Sequence, residues 1–316
     1  MLQRQIQTLT TMISYHTPAM LKETLDGLLV ENEGVFVDVT YGGGGHTAAM
    51  LDRLSENSKV LAFDQDPDAE RNLIDDDRLL FVNQNFQYLK QFLKLYKLIP
   101  VDGILADLGV SFHQFDQAER GFSFRFEGPL DMRMDKKRSL TAARVLNEYD
   151  LADLTHLLRN YGELRNASKV AYAIVGFREE QTFETIAHLK AAVAKFSPQH
   201  KQHKFFAQLF QAIRIEVNEE MKVLELFLEQ AAEVLKPGGR LAIITYHSLE
   251  DRLVKNFIRS GNTKGEVEKD FYGNLIRPLE PLTSKPIQPE QKEIEVNNRA
   301  RSAKLRLAEK SISNEQ

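Results

Sequence analysis

Short apolar runs punctuate the first third of the chain, at residues 35–40, 60–64, 79–82 and 103–108. Each is too brief for a helix and reads as a strand. Helical spacing separates them, at 48–54 and 88–98. Ahead of them, Thr17-Pro18 has the form of an N-cap followed by proline in the first helical position, and Met20, Leu21, Leu25, Leu28 and Leu29 recur on one face. Strands alternating with helices predict an α/β fold built on a mostly parallel sheet with helices on both sides.

From about residue 140 the alternation stops. Amphipathic helices are expected at 151–158, 167–176, 186–196, 205–215 and 221–235, with Asn218 as a cap between the last two. Lys236-Pro-Gly-Gly then breaks the pattern, and 240–247 returns to strand. The expected organisation is an α/β domain formed by 1–139 and 236–316, interrupted by a helical insertion at 140–235. Residues 260–298 read as a long surface connection, and 302–308 as a last strand.

Composition narrows the classes. With 42% hydrophobic and 27% charged residues the chain is an ordinary soluble globular one. No apolar run approaches the roughly 18 residues of a membrane span, and the N-terminus has no signal-like apolar core, so a cytoplasmic location is expected. There is no cysteine, which excludes disulfides, thiolate zinc sites and thiol nucleophiles. The formal net charge is -4, so a nucleic-acid partner would have to be held by a local patch.

The densest chemistry follows the first strand. Val35-Phe-Val-Asp-Val-Thr-Tyr-Gly-Gly-Gly-Gly-His46 is a strand, a glycine loop and a helix start. Gly43-Gly-Gly-His-Thr-Ala48 fits the loose dinucleotide pattern, although a tight turn also fits it. Asp38, Asp64 and Asp107 end the first, second and fourth strands, and Asp66 follows closely. An acid after the second strand commonly accepts ribose hydroxyls. Carboxylates lining several strand ends suit S-adenosylmethionine, a cation without phosphate, better than a pyrophosphate that needs a bare helix N-terminus.

Three further stretches stand out. Residues 105–135 carry Gly, Phe, Met and alternating charge without a period, which suggests a substrate-facing lid; the alternating Phe122, Phe124 and Phe126 equally suit a buried edge strand. Thr245-Tyr-His-Ser-Leu-Glu-Asp-Arg252 brings His247 to the same sheet edge, as a general base or a hydrogen-bond partner for a base, while Ser248 also fits a helix N-cap with Asp251 at its third position. Asn298-Arg-Ala-Arg-Ser-Ala-Lys-Leu-Arg306 holds four cations in eight residues, a patch for phosphates or a solvated strand edge.

Taken in order, these stretches resemble the RsmH (MraW) family of 16S ribosomal RNA cytosine-N4 methyltransferases. The resemblance rests on His16-Thr-Pro, Asp38-Val-Thr-Tyr-Gly-Gly-Gly-Gly-His46, Asp64-Gln-Asp-Pro67, Asp107-Leu-Gly-Val-Ser111 and Arg120-Gly-Phe-Ser-Phe124. It extends through Gly128-Pro-Leu-Asp-Met-Arg-Met-Asp135, Tyr161-Gly-Glu163, His247-Ser-Leu-Glu-Asp-Arg252 and Arg299-Ala-Arg-Ser302. It implies a class I, Rossmann-like methyltransferase fold with the helical insertion as substrate-recognition domain, S-adenosylmethionine as cofactor, and the decoding-region cytosine at position 1402 as target. Cofactor contacts carried over by position fall on Gly44, Gly45, His46, Asp64, Phe86, Asp107 and Gln114. Departures from the family pattern are Phe112 for Ser, Leu164 for Glu, Tyr246 for Phe, Asn298 for Pro, and Lys204-Phe-Phe-Ala-Gln208 for His-Pro-Ala-Thr-Arg.

Chemistry agrees with that target. Cytosine C5 methylation needs a thiolate, which this chain lacks. An exocyclic amine needs alignment with the methyl donor and a proton acceptor. Asp107 and His247 are the candidates for the acceptor, with no metal expected. Phe112, Phe122 and Tyr246 are candidates to stack on an extruded base, and Arg299 and Arg301 to hold phosphates. The expected partner is 16S rRNA or the small ribosomal subunit, with no DNA and no membrane. A homodimer is kept as a candidate assembly. Two other readings compete, a NAD-dependent oxidoreductase using the same loop and a non-catalytic ribosome-assembly factor that binds RNA.

Overall fold

The computed structural model describes residues 18–197 and 199–312, and for Phe112 and His113 the backbone alone. His16 and Thr17, and with them the expected cap, lie outside the described residues. The first described helix, α1 (Leu21–Leu28), begins after Met20, whose φ of 51° closes the turn that Pro18 opens.

The chain forms two compact units, one from Met1–Gly109 with Lys222–Gln316, the other from Val110–Met221. In the first, seven strands make one sheet: β1 (Val35–Asp38), β2 (Lys59–Phe63), β3 (Leu79–Val82), β4 (Val101–Asp107), β5 (Leu235–Thr245), β6 (Leu279–Pro281) and β7 (Lys304–Lys310). Their order is β3-β2-β1-β4-β5-β7-β6. The first five pair in parallel, and β7 lies antiparallel to both β5 and β6. This is the class I methyltransferase arrangement. The central strands carry near-continuous apolar burial, as parallel strands covered on both faces require; Val60 to Phe63 are all buried.

The order places β4 beside β1 after the chain has wound outward through β2 and β3. Connections therefore leave β1 and β4 in opposite directions, which opens a crevice at their carboxyl ends. α2 (Gly45–Arg53) follows β1, α3 (Leu89–Leu95) precedes β4, and α10 (Glu220–Val234) leads into β5. Lys236-Pro-Gly-Gly is not a loop before the strand. It is a bulge inside β5, where the register with β4 shifts from Val101↔Leu235 to Gly103↔Arg240 and Gly238 takes φ 76°. The 260–298 connection holds β6 and α12 (Gln291–Val296), which the polar composition concealed.

The second unit is helical: α4 (Phe112–Asp116), α5 (Ala142–Glu148), α6 (Leu151–Asn160), α7 (Ala167–Glu180), α8 (Ile186–Val193) and α9 (Gln202–Asn218). It starts at 110 and ends at 221, where 140 and 235 were expected. The physical reason is that the stretch expected to be a lid supplies core. Phe122, Leu130, Met132 and Met134 are buried with Val145, Leu158, Ile174 and Ile213. No strand forms at 122–126. Gly121 and Gly128 allow this loop to fold on itself: a Cβ at either would stand 2.3 Å from Pro129 O or 2.2 Å from Ala118 O. Asn218 is not a helix cap. It ends α9 and ties down the same loop, accepting from Met134 N at 2.8 Å and donating to Met132 O at 2.8 Å. Leu164, in place of the family's Glu, joins this core.

Candidate active site

The glycine loop turns out to have several separate causes. Gly42 and Gly44 take φ 52° and 77°, a region that L side chains avoid. Gly44 and Gly45 are further required by internal packing, since a Cβ there would lie 2.7 Å from Tyr41 Oη and 2.4 Å from Pro18 Cγ. At Gly43 a Cβ would meet nothing within 4 Å, so only this glycine borders open space.

Two of the four glycine amides in the loop have acceptors. Gly42 N–H donates to Asp64 Oδ2 at 2.8 Å, and Gly44 N–H to Tyr41 O at 2.7 Å. Asp64 Oδ1 also accepts from Asp66 N at 2.8 Å, so the carboxylate ties the β1 loop to the β2 turn. Burial pushes the Asp64 carboxyl up to about 6, against these donors. Asp38 is fully buried: its Oδ2 accepts from Thr47 Oγ1 at 2.7 Å and its Oδ1 from Thr40 N at 3.0 Å. Burial raises its carboxyl as well. A loop lined by carboxylates fits a cationic, phosphate-free ligand better than a pyrophosphate.

Asp107 ends β4. Its Oδ1 accepts from Tyr246 Oη at 2.8 Å. Its Oδ2 lies 3.8 Å from His46 Nδ1. Its backbone N–H donates to Thr40 Oγ1 at 2.7 Å, which fixes the β4 end against the β1 loop. Burial lifts its carboxyl to about 6, and the hydrogen bond from Tyr246 works in the opposite direction. Tyr246 itself is pushed well above the usual phenol range by burial and by Asp107. The His46 tautomer follows from its other side: Nε2 is 3.1 Å from Ala19 O. A carbonyl only accepts, so Nε2 carries a hydrogen and Nδ1 faces the carboxylate.

His247 is placed at the sheet edge, but as a helix cap. α11 (Ser248–Ser260) has His247, not Ser248, at its N-cap. Nδ1 accepts from Glu250 N at 3.4 Å, and Glu250 Oε2 accepts in return from the backbone of Tyr246 at 2.9 Å and of His247 at 3.3 Å. Nε2 is inaccessible and 3.1 Å from Glu250 Oε1, close enough for electrostatic attraction but not aligned as a hydrogen bond. Asp251, the acid expected in the cap, instead accepts from Lys304 Nζ at 3.1 Å and Arg306 Nε at 2.7 Å. That removes two of the four cations from the expected basic patch. Arg299 and Arg301 remain exposed, on a 3-10 turn before β7.

The remaining candidates are spread out. Phe86 follows β3 and packs edge-on against Phe227 at 5.3 Å. Gln114 belongs to the helical unit, where Oε1 accepts from Ser111 N at 3.1 Å and its N–H donates to Ser111 Oγ at 3.2 Å, a reciprocal cap. Phe122 is 3% exposed, with the Arg120 guanidinium 5.7 Å from its ring centre, and offers no free face for stacking. The Phe112 side chain lies outside the described residues. Sequence reasoning had missed Thr40 and Thr47; their spacing of two and nine residues from Asp38 was the available signal.

The chain matches the MraW methylase family over residues 13–311. It is 53% identical over 302 residues to ribosomal RNA small subunit methyltransferase H of Flavobacterium johnsoniae, covering 96% of this chain and 100% of that protein. The protein of the same name from Bacteroides thetaiotaomicron is 51% identical over 298 residues, covering 94% of this chain and 98% of its own. With the sheet order, the acids at the strand ends and a match along nearly its whole length, the chain belongs to the MraW methylase family.

Proposed function

We propose that this protein is an S-adenosylmethionine-dependent methyltransferase acting on the exocyclic N4 of the cytosine at position 1402 of 16S rRNA. The observation that carries the reading is the setting of Asp107 at the end of β4, with one oxygen held by Tyr246 and the other turned to His46. Supporting it are the two relatives named as small-subunit ribosomal RNA methyltransferases, each matched over almost its full length. S-adenosylmethionine, when bound, supplies a sulfonium methyl group. Gly43, Asp64, His46, Phe86 and Asp107 are the residues we assign to holding it, with Gly44 and Gly45 shaping the loop. Gln114 is assigned with them by its place in the family pattern.

Of the two proton acceptors considered, Asp107 is the better. It has lone pairs left on both oxygens, and a carboxyl near 6 is ionised at neutral pH yet basic enough to take a proton from an amine that is being alkylated. Nδ1 of His247 is taken up by its own cap, and Nε2 is inaccessible, 3.1 Å from Glu250 Oε1. His247 is therefore a positioning residue for the turn that presents Tyr246. The substrate is RNA of the small subunit, with Arg299 and Arg301 as phosphate contacts and Tyr246 as the remaining described aromatic candidate near the target base. The carboxylates of Asp38, Asp64 and Asp107 around the loop speak against the pyrophosphate of a nicotinamide dinucleotide. The test is transfer of labelled methyl to small subunits from a strain lacking the modification: label in 16S rRNA is expected for wild type and its loss for Asp107→Asn, whereas equal labelling by both would overturn the assignment of Asp107.

A further inference from the structure

The active-site carboxylates account for a methyl donor and a single base, but not for holding a large polyanion on a chain of net charge -4. The helical unit carries a feature suited to that task. Between residues 185 and 215 there is no Asp or Glu, while Lys190, Lys195, Lys201, Lys204 and Arg214 are present. Lys190 and Arg214 pair with Glu127 and Glu220 at the two ends of this stretch. Lys195, Lys201 and Lys204 remain, all exposed.

Next to Lys195 lies an open groove of about 750 Å³ on α6 and α7, which continues into a second hollow lined by Lys169, Lys195 and Phe196. Tyr172 is common to both and is 71% exposed. Arg159 lines the groove, its guanidinium held by Ser168 Oγ at 3.1 Å. No carboxylate lines either hollow. Lys195 Nζ sits 5.2 Å from the Phe196 ring centre, so this cation is held against an apolar surface. An exposed tyrosine among three cations with no acid between them combines the two features single-stranded nucleic acid needs: a π-face for a base and a positive track for phosphates.

We propose that this groove binds unpaired rRNA, with a base stacked on Tyr172 and phosphates along Arg159, Lys169 and Lys195. The proposal deepens the functional reading above and rests on rRNA being the substrate. None of these residues is assigned to the methyl-transfer site.

The test uses the full chain, which contains no tryptophan. Tyr172→Trp therefore makes a single-tryptophan reporter whose fluorescence a stacked base quenches. We expect saturable quenching by a 20-nucleotide single-stranded RNA and none by polyglutamate. Equal quenching by both would mean that the groove takes acidic polypeptide and would overturn the proposal. In parallel, Lys169→Ala/Lys195→Ala is expected to raise KM for small subunits about tenfold, leave S-adenosylmethionine affinity unchanged, and lower the salt slope of RNA binding by about two. An unchanged KM and slope in a variant that methylates normally would overturn the groove alone. Absence of methylation by wild type would instead overturn the functional reading, while the fluorescence titration would still report on the groove.

Discussion

Tyr246 Oη donates a 2.8 Å hydrogen bond to Asp107 Oδ1, so the first residue after β5 orients the last carboxylate of β4. The strands are paired neighbours, with Asp107 opposite Ile244, which brings the two side chains together without help from distant structure. Phenylalanine is usual at this position in the family pattern and would leave that oxygen without its donor.

Tyr246→Phe should therefore act through Asp107. Loss of the donor removes a stabiliser of the ionised form, so the Asp107 carboxyl rises further. The acid limb of the methylation pH profile is expected to move up by about half a unit to one unit, equivalent to roughly 1 kcal/mol, with activity recovering near pH 8. A profile that drops uniformly at all pH values would mean that Tyr246 is only structural.

Stability should carry the signature of the buried acids. Asp64 and Asp107 sit near 6, above the ordinary carboxylate value, because burial disfavours their charge. A raised carboxyl costs folding stability once ionised: the cost is absent below about 4 and complete above about 6. The ligand-free protein is thus expected to gain Tm on going from pH 7 to pH 5, and Asp64→Asn to flatten that gain. Cofactor affinity should run the other way, falling as the pH drops below 6, because hydroxyl and cationic groups favour ionised acids. Calorimetric titration at pH 5.5 and 7.5 measures it; equal affinities would contradict the assignment of these carboxylates.

His247→Ala should cost stability before chemistry. It removes the N-cap of α11 and leaves Glu250 N–H without its acceptor, a loss of about 1 kcal/mol. His247→Asn, which retains a capping oxygen, is expected to restore both Tm and activity. If the Asn variant is stable but inactive, His247 takes part in the reaction itself.

The C-terminal cations should divide by their exposure. Arg306→Ala leaves Asp251 short of a donor and is expected to lower Tm with little change in the salt dependence of RNA binding. Arg299→Ala/Arg301→Ala, at two exposed positions, should reduce the salt slope by up to two. Filter binding across a salt series decides between them, and matching slopes in all variants would remove the phosphate role of Arg299 and Arg301.

The sheet was legible because each central strand is a compact apolar run, and four of the five parallel strands lay within two residues of their expected bounds. β6 was hidden because three residues at an edge, one of them Pro281, carry no alternation. The loop at 105–135 was misjudged because its apolar residues have no period: Phe122 and Met132 reach the core through glycine turns, which spacing does not encode. At the site, the acids announced themselves by their position after strands. Their neighbours did not. That Asp251 neutralises Lys304 and Arg306 depends on contacts between segments about 50 residues apart, and that His247 rather than Ser248 caps the helix depends on the local backbone path after β5.

The most direct test is mass mapping of 16S rRNA from cells with and without this protein. One difference is expected, an N4 methyl on the cytosine at position 1402 that disappears with the protein and returns with wild type but not with Asp107→Asn. An unchanged methylation pattern, or a loss at a different nucleotide, would contradict it.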